Sequence, residues 1–247
     1  MSFVVLPSLI PDIPHTYDVY FAAFKDENML EYYYPGGKRY PHHLEWMNEH
    51  WGTDPNEYQL KCVEPATGLI VGMATFDVYW DNTGTEAGKR WSRRDEEASW
   101  LEGFEKQRLE LVTMALSKMR EKLVGNRRHV YCRTMAVEPK YQRKGVGTLL
   151  LNWGIDVAER LGVPIYLEAT IPGRNFYKRF GFQIPEFVIH KAATVRRDRD
   201  DIVPCMVKMP KKYEDLSVAE WQMLIDSESK RDLEDRVSAI VDQVLKG

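Results

Sequence analysis

The chain has 247 residues, 44% hydrophobic and 29% charged, with a formal net charge of -3 at pH 7. These values place it among ordinary soluble globular proteins with room for a sizeable core, and argue against a dedicated nucleic-acid binder, which carries a clear basic excess. Three widely spaced cysteines, Cys62, Cys132 and Cys205, form neither a disulfide framework nor a zinc spacing and read as reduced thiols. No apolar run approaches the ~20 residues of a membrane span. The start MSFVVLPSLIPDIP lacks the basic segment of a signal peptide. The expected location is the cytoplasm, with the nucleus open, and no membrane or nucleic-acid partner is expected.

In chain order, Phe3 to Leu9 is a β-rich run bounded by prolines. The spacing of Tyr17, Tyr20, Phe21 and Phe24 predicts a helix from Pro14 to Glu27. Tyr32-Tyr33-Tyr34-Pro35-Gly36-Gly37 reads as a loop, and Pro41 to His50 as a second helix. Glu57–Val63 and Leu69–Trp80 form a hairpin around Pro65 and Gly68. Residues 81–97 read as a solvated loop and Trp100 to Val124 as a long amphipathic helix. His129–Val137 is a strand, Glu138–Lys144 a polar loop, and Gly145–Leu161 a helix presenting Val146, Leu149, Leu150, Trp153 and Val157 to the core. Pro164–Ala169 is a strand and Asn175–Phe180 a short helix stopped by Gly181. Two more strands, Phe182–His190 and Ile202–Met209, flank the charged connector Lys191–Asp201; Leu216–Leu245 is helical.

The stretch from His129 to Leu161 carries chemistry. A strand ends, a polar loop turns over, and Gly145 and Gly147 open a helix. Amides at a helix start have no intrahelical acceptors and sit at the positive end of the helix dipole, which together suit a phosphate or pyrophosphate. Glycine lets such a ligand approach the backbone closely. Lys140, Arg143 and Lys144 add positive charge. A dinucleotide fingerprint, and with it a nucleotide-binding oxidoreductase, is disfavoured because seven residues separate strand from glycine and Leu150 stands at the third glycine position; the P-loop pattern G-x-x-x-x-G-K-[ST] is absent. A glycine-softened helix start without a ligand is the alternative.

Val137-Glu138-Pro139-Lys140-Tyr141-Gln142-Arg143-Lys144-Gly145-Val146-Gly147-Thr148-Leu149-Leu150 resembles motif A of the GNAT superfamily of acyl-CoA-dependent N-acetyltransferases, with Gln142, Gly145 and Gly147 in its [Q/R]-x-x-G-x-[G/A] core. Downstream, Leu167-Glu168-Ala169-Thr170, Gly173 and Phe176-Tyr177-Lys178-Arg179-Phe180-Gly181-Phe182 resemble motif B, in the right order and at the right distance. The insertion 81–128 resembles that of fungal members. The resemblance implies an α/β (α+β) fold: a mixed, mostly antiparallel sheet of six to seven strands flanked by helices, with a helical insertion and a C-terminal helical extension. It suggests one domain over 1–210, containing 81–128 as insertion and long helix, with 211–247 appended.

By the same resemblance the sheet splays between 129–137 and 164–169 to take the pantetheine arm of acetyl-CoA. Backbone groups of Met135, Ala136 and Val137 would pair with the arm. Gln142, Arg143, Lys144, Gly145, Val146, Gly147 and Thr148 would hold the pyrophosphate, and Asn175 joins the cofactor set. Tyr177 matches the family tyrosine that protonates the leaving sulfur; a half-buried packing ring is the bland reading. The strand positions where family members place a base hold Tyr131 and Arg133, and arginine stays protonated. Glu138, Glu168 and Asp77 are the candidates, with Glu168 nearest the expected cleft. Period-2 alternation would put residues 131, 133, 135 and 137 on one face, where Arg133 either recognises an acidic acceptor or forms a salt bridge. His42, His43 and His50 lack metal-site spacing, so no metal is expected. Tyr32, Tyr33, Tyr34, Trp46, Trp51 and Trp80 are candidates for an acceptor wall. The implied activity is acetyl transfer to a primary amine of a small molecule. The alternatives are a protein lysine or N-terminus as acceptor, or an acyl-CoA sensor without turnover; the C-terminal helices are candidates for a homodimer contact.

Overall fold

The computed structural model describes residues 2–37, 41–80 and 101–228, the side chains of 41–43 and 46 excepted. The predicted loop at 81–97 and the helix beyond 228 lie outside these residues.

The described strands form one seven-stranded sheet: β1 (Val4–Pro7), β2 (Glu57–Glu64), β3 (Leu69–Tyr79), β4 (His129–Val137), β5 (Ile165–Glu168), β6 (Gln183–His190) and β7 (Asp201–Lys208), in the order β1-β2-β3-β4-β5-β7-β6. The pairings are antiparallel except β4 with β5. That parallel pair follows from its connection, because a crossover helix returns the chain to the starting edge. This helix is α5 (Val146–Leu161). It packs on one face of β1 to β5, while α1 (Ile13–Phe24) crosses β3 and β4 on the other face with α3 (Pro41–His50) beside it, and α4 (Gly103–Leu123) lies against β6.

Most predicted elements match within a few residues; four expectations change, the last of them in β4. The Tyr32–Gly37 loop begins inside a helix, α2 (Asn28–Tyr33), because Tyr32 is wholly buried and tertiary packing outweighs the nearby Pro-Gly-Gly signal. The charged connector contains a short turn of helix, α7 (Ala192–Val195), anchored by buried Val195. On α5 the buried stripe is Val146, Leu150, Leu151, Gly154 and Ala158, whereas Leu149 is exposed and Trp153 and Val157 are half-buried. Of the five expected core residues, Val146 and Leu150 are buried in the core and Trp153 and Val157 pack against it, while Leu149 is exposed. The small residues Gly154 and Ala158 face the sheet because the helix approaches it closely: a Cβ built on Gly154 would lie 2.3 Å from the Phe76 ring. Trp153 instead flanks the contact, 5.2 Å from Phe76 and 5.5 Å from Tyr58 between ring centres.

A bulge in β4 overturns the period-2 reading of that strand. Thr134 pairs with Thr75 but Cys132 with Phe76, so Arg133 is the extra residue. Val130, Cys132, Met135 and Val137 consequently pack on the α5 side, whereas Tyr131 and Ala136 join clusters on the opposite side. One inserted residue is enough to exchange the faces downstream of it. The segment after β7 docks through Trp221, which is 2% exposed, and through an ion pair from Arg127 to Asp226. No described helix is long and apolar enough to cross a membrane.

Candidate active site

β4 and β5 pair only at Val130–Ile165 and Tyr131–Tyr166. Beyond that point β5 keeps its partner β7, through Leu167–Met206 and Glu168–Cys205, while β4 keeps β3 to its end at Val137. The sheet therefore opens as a V between Cys132–Val137 and Leu167–Glu168. A cleft of about 1750 Å³ runs through this opening, lined at one end by Arg143, Gly145, Gly147 and Thr148 and at the other by aromatic residues of α1 and its surroundings.

The anion-facing end is built locally. Gly145 caps α5 with φ 94°, and Arg143 also adopts a left-handed conformation at φ 61°. Such alternation turns successive amides toward one concavity. The Leu149 amide donating to the Gly145 carbonyl at 3.1 Å begins the helical ladder, which leaves the amides of Val146, Gly147 and Thr148 without intrahelical acceptors. Gly147 faces the end of β4 and a short helix, α6 (Arg174–Lys178): a Cβ there would meet Phe176 at 3.4 Å and Val137 at 3.7 Å. The preceding loop is braced from below. Tyr141 donates its hydroxyl to buried Glu64 at 3.0 Å, and Gln142 donates its side-chain amide to the Val137 carbonyl at 3.3 Å. Lys140 and Lys144 lie over the Tyr141 ring at 5.5 and 5.1 Å. The residues present thus fit a phosphorylated ligand: open amides, a glycine where a side chain would fill the gap, and mobile cations.

The other half of the cleft is ionic and aromatic. Arg133 bonds to Asp77, through Nε at 3.1 Å and a closer contact from its terminal nitrogen, and also contacts Glu57. Asp77 is only 5% exposed; this charge-assisted fork commits its carboxylate to the guanidinium. Glu168 is half-buried and accepts a hydrogen bond from the Tyr166 hydroxyl at 3.0 Å. Tyr177 is half-buried on α6, its ring 5.2 Å from Phe176 and 5.8 Å from Phe182. Burial, with a smaller contribution from Cys132, pushes its phenol above the ordinary tyrosine range. Burial, then Asp201 and Asp26, raise Glu27 above the ordinary carboxylate range.

Of the residues singled out from the sequence, Met135, Ala136, Val137, Gln142, Arg143, Gly145, Gly147, Thr148, Glu168 and Tyr177 line this single cleft. Val146 is buried beneath it, so only its backbone is available there. Lys144 and Asn175 are exposed and outside the lining, as is half-buried Glu138. Of the aromatic candidates, Tyr33, Tyr34 and Trp51 line the cleft. Tyr32 is buried with its hydroxyl on Asp201 at 3.1 Å, Trp80 is 57% exposed away from the lining, and the Trp46 side chain lies outside the described residues. Sequence reasoning missed Tyr20 and Phe24 as lining residues because their helical spacing reads as core; the tyrosine hydroxyl on an apolar stripe was the available signal. Glu57, Arg120 and Asp201 also line the cleft and carry no local motif. Among the described residues, no group of three or more His, Cys, Asp or Glu is arranged to hold a metal ion.

A sequence model described as the acetyltransferase (GNAT) family matches residues 21–182. The chain is similar to Probable acyltransferase SID5 of Ajellomyces capsulatus, with 34% identity over 139 residues that cover 56% of this chain and 93% of that protein. Its fold is similar to mosquito arylalkylamine N-acetyltransferase like 5b, at TM-score 0.60 and 12% identity, over 84% of this chain and 100% of the other. It is also similar to the Drosophila melanogaster polyamine N-acetyltransferase that catalyses formation of N-acetylagmatine, at TM-score 0.57 and 15% identity, over 84% and 100% of the two chains.

Proposed function

The chain belongs to the acetyltransferase (GNAT) family and is an acyltransferase, and on that premise we propose that it moves an acetyl group from acetyl-CoA to a primary amine of a small molecule, by direct attack with both substrates bound. The observation that carries this reading is the V between β4 and β5, which opens beside the unpaired amides of α5 and across from Tyr177. The amides of Arg143 to Thr148 bind pyrophosphate oxygens, and the backbone of Met135 to Val137 offers strand-like hydrogen bonds to the pantetheine arm. When bound, the thioester supplies an activated acyl carbon. An amide near Val137 stabilises charge on its oxygen as it develops.

Glu168 accepts a proton from the acceptor ammonium, directly or through water, and so frees the nitrogen lone pair. Asp77 suits that task less, because Arg133 holds both of its oxygens. As the C–N bond forms and the C–S bond breaks, Tyr177 donates its hydroxyl proton to the departing sulfur, and the second proton lost by the nitrogen returns through solvent to the phenolate; its raised pKa keeps the phenol protonated before transfer. Tyr20, Phe24, Tyr33, Tyr34 and Trp51 line the acceptor end, a concave aromatic wall that suits a small amine rather than an extended peptide. The Drosophila polyamine N-acetyltransferase of similar fold, which forms N-acetylagmatine, agrees with a small-amine acceptor. We read residues 1–210 as the catalytic domain and 211–247 as an extension of it.

Calorimetric titration with acetyl-CoA, with NADH and ATP as controls, tests the binding half. Thiol release with a panel of small primary amines tests the chemistry. Tyr177→Phe is expected to retain acetyl-CoA affinity and to lose roughly 100-fold in kcat. Binding without thiol release from any amine would favour a sensor, and a folded protein that ignores acetyl-CoA would refute the proposal.

A further inference from the structure

Tyr166 is wholly buried, and its hydroxyl has a place in neither substrate binding nor the proton transfers above. Tyr166 is the last residue of β5 that pairs with β4; from Leu167 onward the strand has β7 alone. Residues two apart on a strand share a face, so Glu168 lies above Tyr166 at the point where the sheet has just opened. A glutamate there has lost the neighbouring strand that would confine its rotamers. The Tyr166 hydroxyl reaches its Oε1 at 3.0 Å, the Tyr166 ring lies 5.7 Å from the Tyr131 ring, and the Arg120 guanidinium stands over Tyr131 at 4.2 Å.

We propose that Tyr166 is a positioning residue, its buried hydroxyl holding the Glu168 carboxylate in one orientation at the mouth of the V. This rests on the reading of Glu168 as the base. The donor is permanent: burial, then Glu168 itself, push the phenol well above the ordinary range. Cys132 on β4 and Cys205 on β7 also feel the Glu168 charge. Burial raises both thiols, Cys205 to about 12, so they stay neutral through an ordinary assay. Farther along the same face, Arg133 is engaged by Asp77 and Glu57. The hydroxyl of Tyr166 is therefore the group whose removal changes the carboxylate without changing local charge.

The test compares Tyr166→Phe, Glu168→Gln and the double variant. Protein labelled with carboxyl-¹³C glutamate is observed by NMR at neutral pH, the Glu168 resonance being assigned by its loss in Glu168→Gln. Loss of the hydrogen bond from the Tyr166 hydroxyl changes the carboxylate's surroundings, and the expected outcome in Tyr166→Phe is a displaced Glu168 resonance. With the best amine of the panel kcat falls about tenfold, while acetyl-CoA affinity is unchanged. The double variant is no slower than Glu168→Gln. An unmoved resonance with normal kcat overturns the proposal, as do losses that multiply independently. Full activity in Glu168→Gln overturns the base assignment and this inference together; an inactive Glu168→Gln beside a normal Tyr166→Phe overturns only this inference. Should Tyr166→Phe fail to fold, Glu168→Asp draws the carboxylate back from the hydroxyl by one methylene and must show a comparable loss; wild-type kcat there is equally fatal.

Discussion

Replacing Gly147 with valine should separate ligand binding from folding. The position is the second residue of α5, and its φ is not left-handed, so a side chain meets no backbone strain. A Cβ there would touch Phe176 at 3.4 Å and Val137 at 3.7 Å, which is ordinary contact. The two γ-carbons of valine must then extend into the gap between β4 and α6, in front of the open amides. Valine is also a better helix residue than glycine by a few tenths of a kcal/mol, roughly, so stability should hold or rise slightly. Blocking two charge-assisted hydrogen bonds to a phosphate, each worth about 1.5 kcal/mol net, removes about 3 kcal/mol of binding. That corresponds to roughly a 100-fold rise in Kd for acetyl-CoA. Calorimetry gives Kd and a thermal melt gives Tm on the same sample. A folded Gly147→Val protein whose Kd stays within about threefold of wild type would show that these amides do not hold the ligand.

Gly154→Ala should act in the opposite way, on the fold alone. Its Cβ would stand 2.3 Å from the Phe76 ring in the main core, and such overpacking costs about 1–3 kcal/mol. Against the ~1 kcal/mol gain in helix propensity this leaves a net loss of up to about 2 kcal/mol, with Phe76→Leu restoring part of the lost Tm. Arg133→Ala leaves the buried Asp77 carboxylate without its guanidinium and should cost about 3 kcal/mol in denaturant unfolding. If acceptor KM is unchanged in that variant, Arg133 is structural and does not read the acceptor. His129 is 2% exposed, with Nδ1 2.7 Å from the Arg127 carbonyl, and burial lowers its pKa to about 4. A folded-state value below the unfolded 6.5 means that the neutral ring's contribution is complete above pH 6.5. It is lost as pH falls toward 4, by up to about 3 kcal/mol. His129→Gln should flatten that part of the stability–pH curve relative to wild type, and an unchanged slope between pH 6.5 and 4 would contradict the assignment.

The glycine-opened helix start was legible in the sequence because everything that makes it is local. Gly145, Gly147 and the strand–loop–helix order lie within a short stretch, and amide geometry at a helix start does not depend on distant residues. Tyr177 and Glu168 were legible through a second local pattern, again read on its own segment. What the sequence could not reveal was which of these residues meet, because that depends on pairing register. The bulge at Arg133 carried that side chain to Asp77 and Glu57, which lie 56 and 76 residues away along the chain. It also moved Met135 and Val137 to the face opposite Tyr131. The end of β4–β5 pairing at Tyr166 set both the place of the cleft and the hold of Tyr166 on Glu168. Backbone conformation is written in neighbouring residues; register, splay and the partners of a buried charge are decided only when separate strands compete for the same hydrogen bonds and the same core.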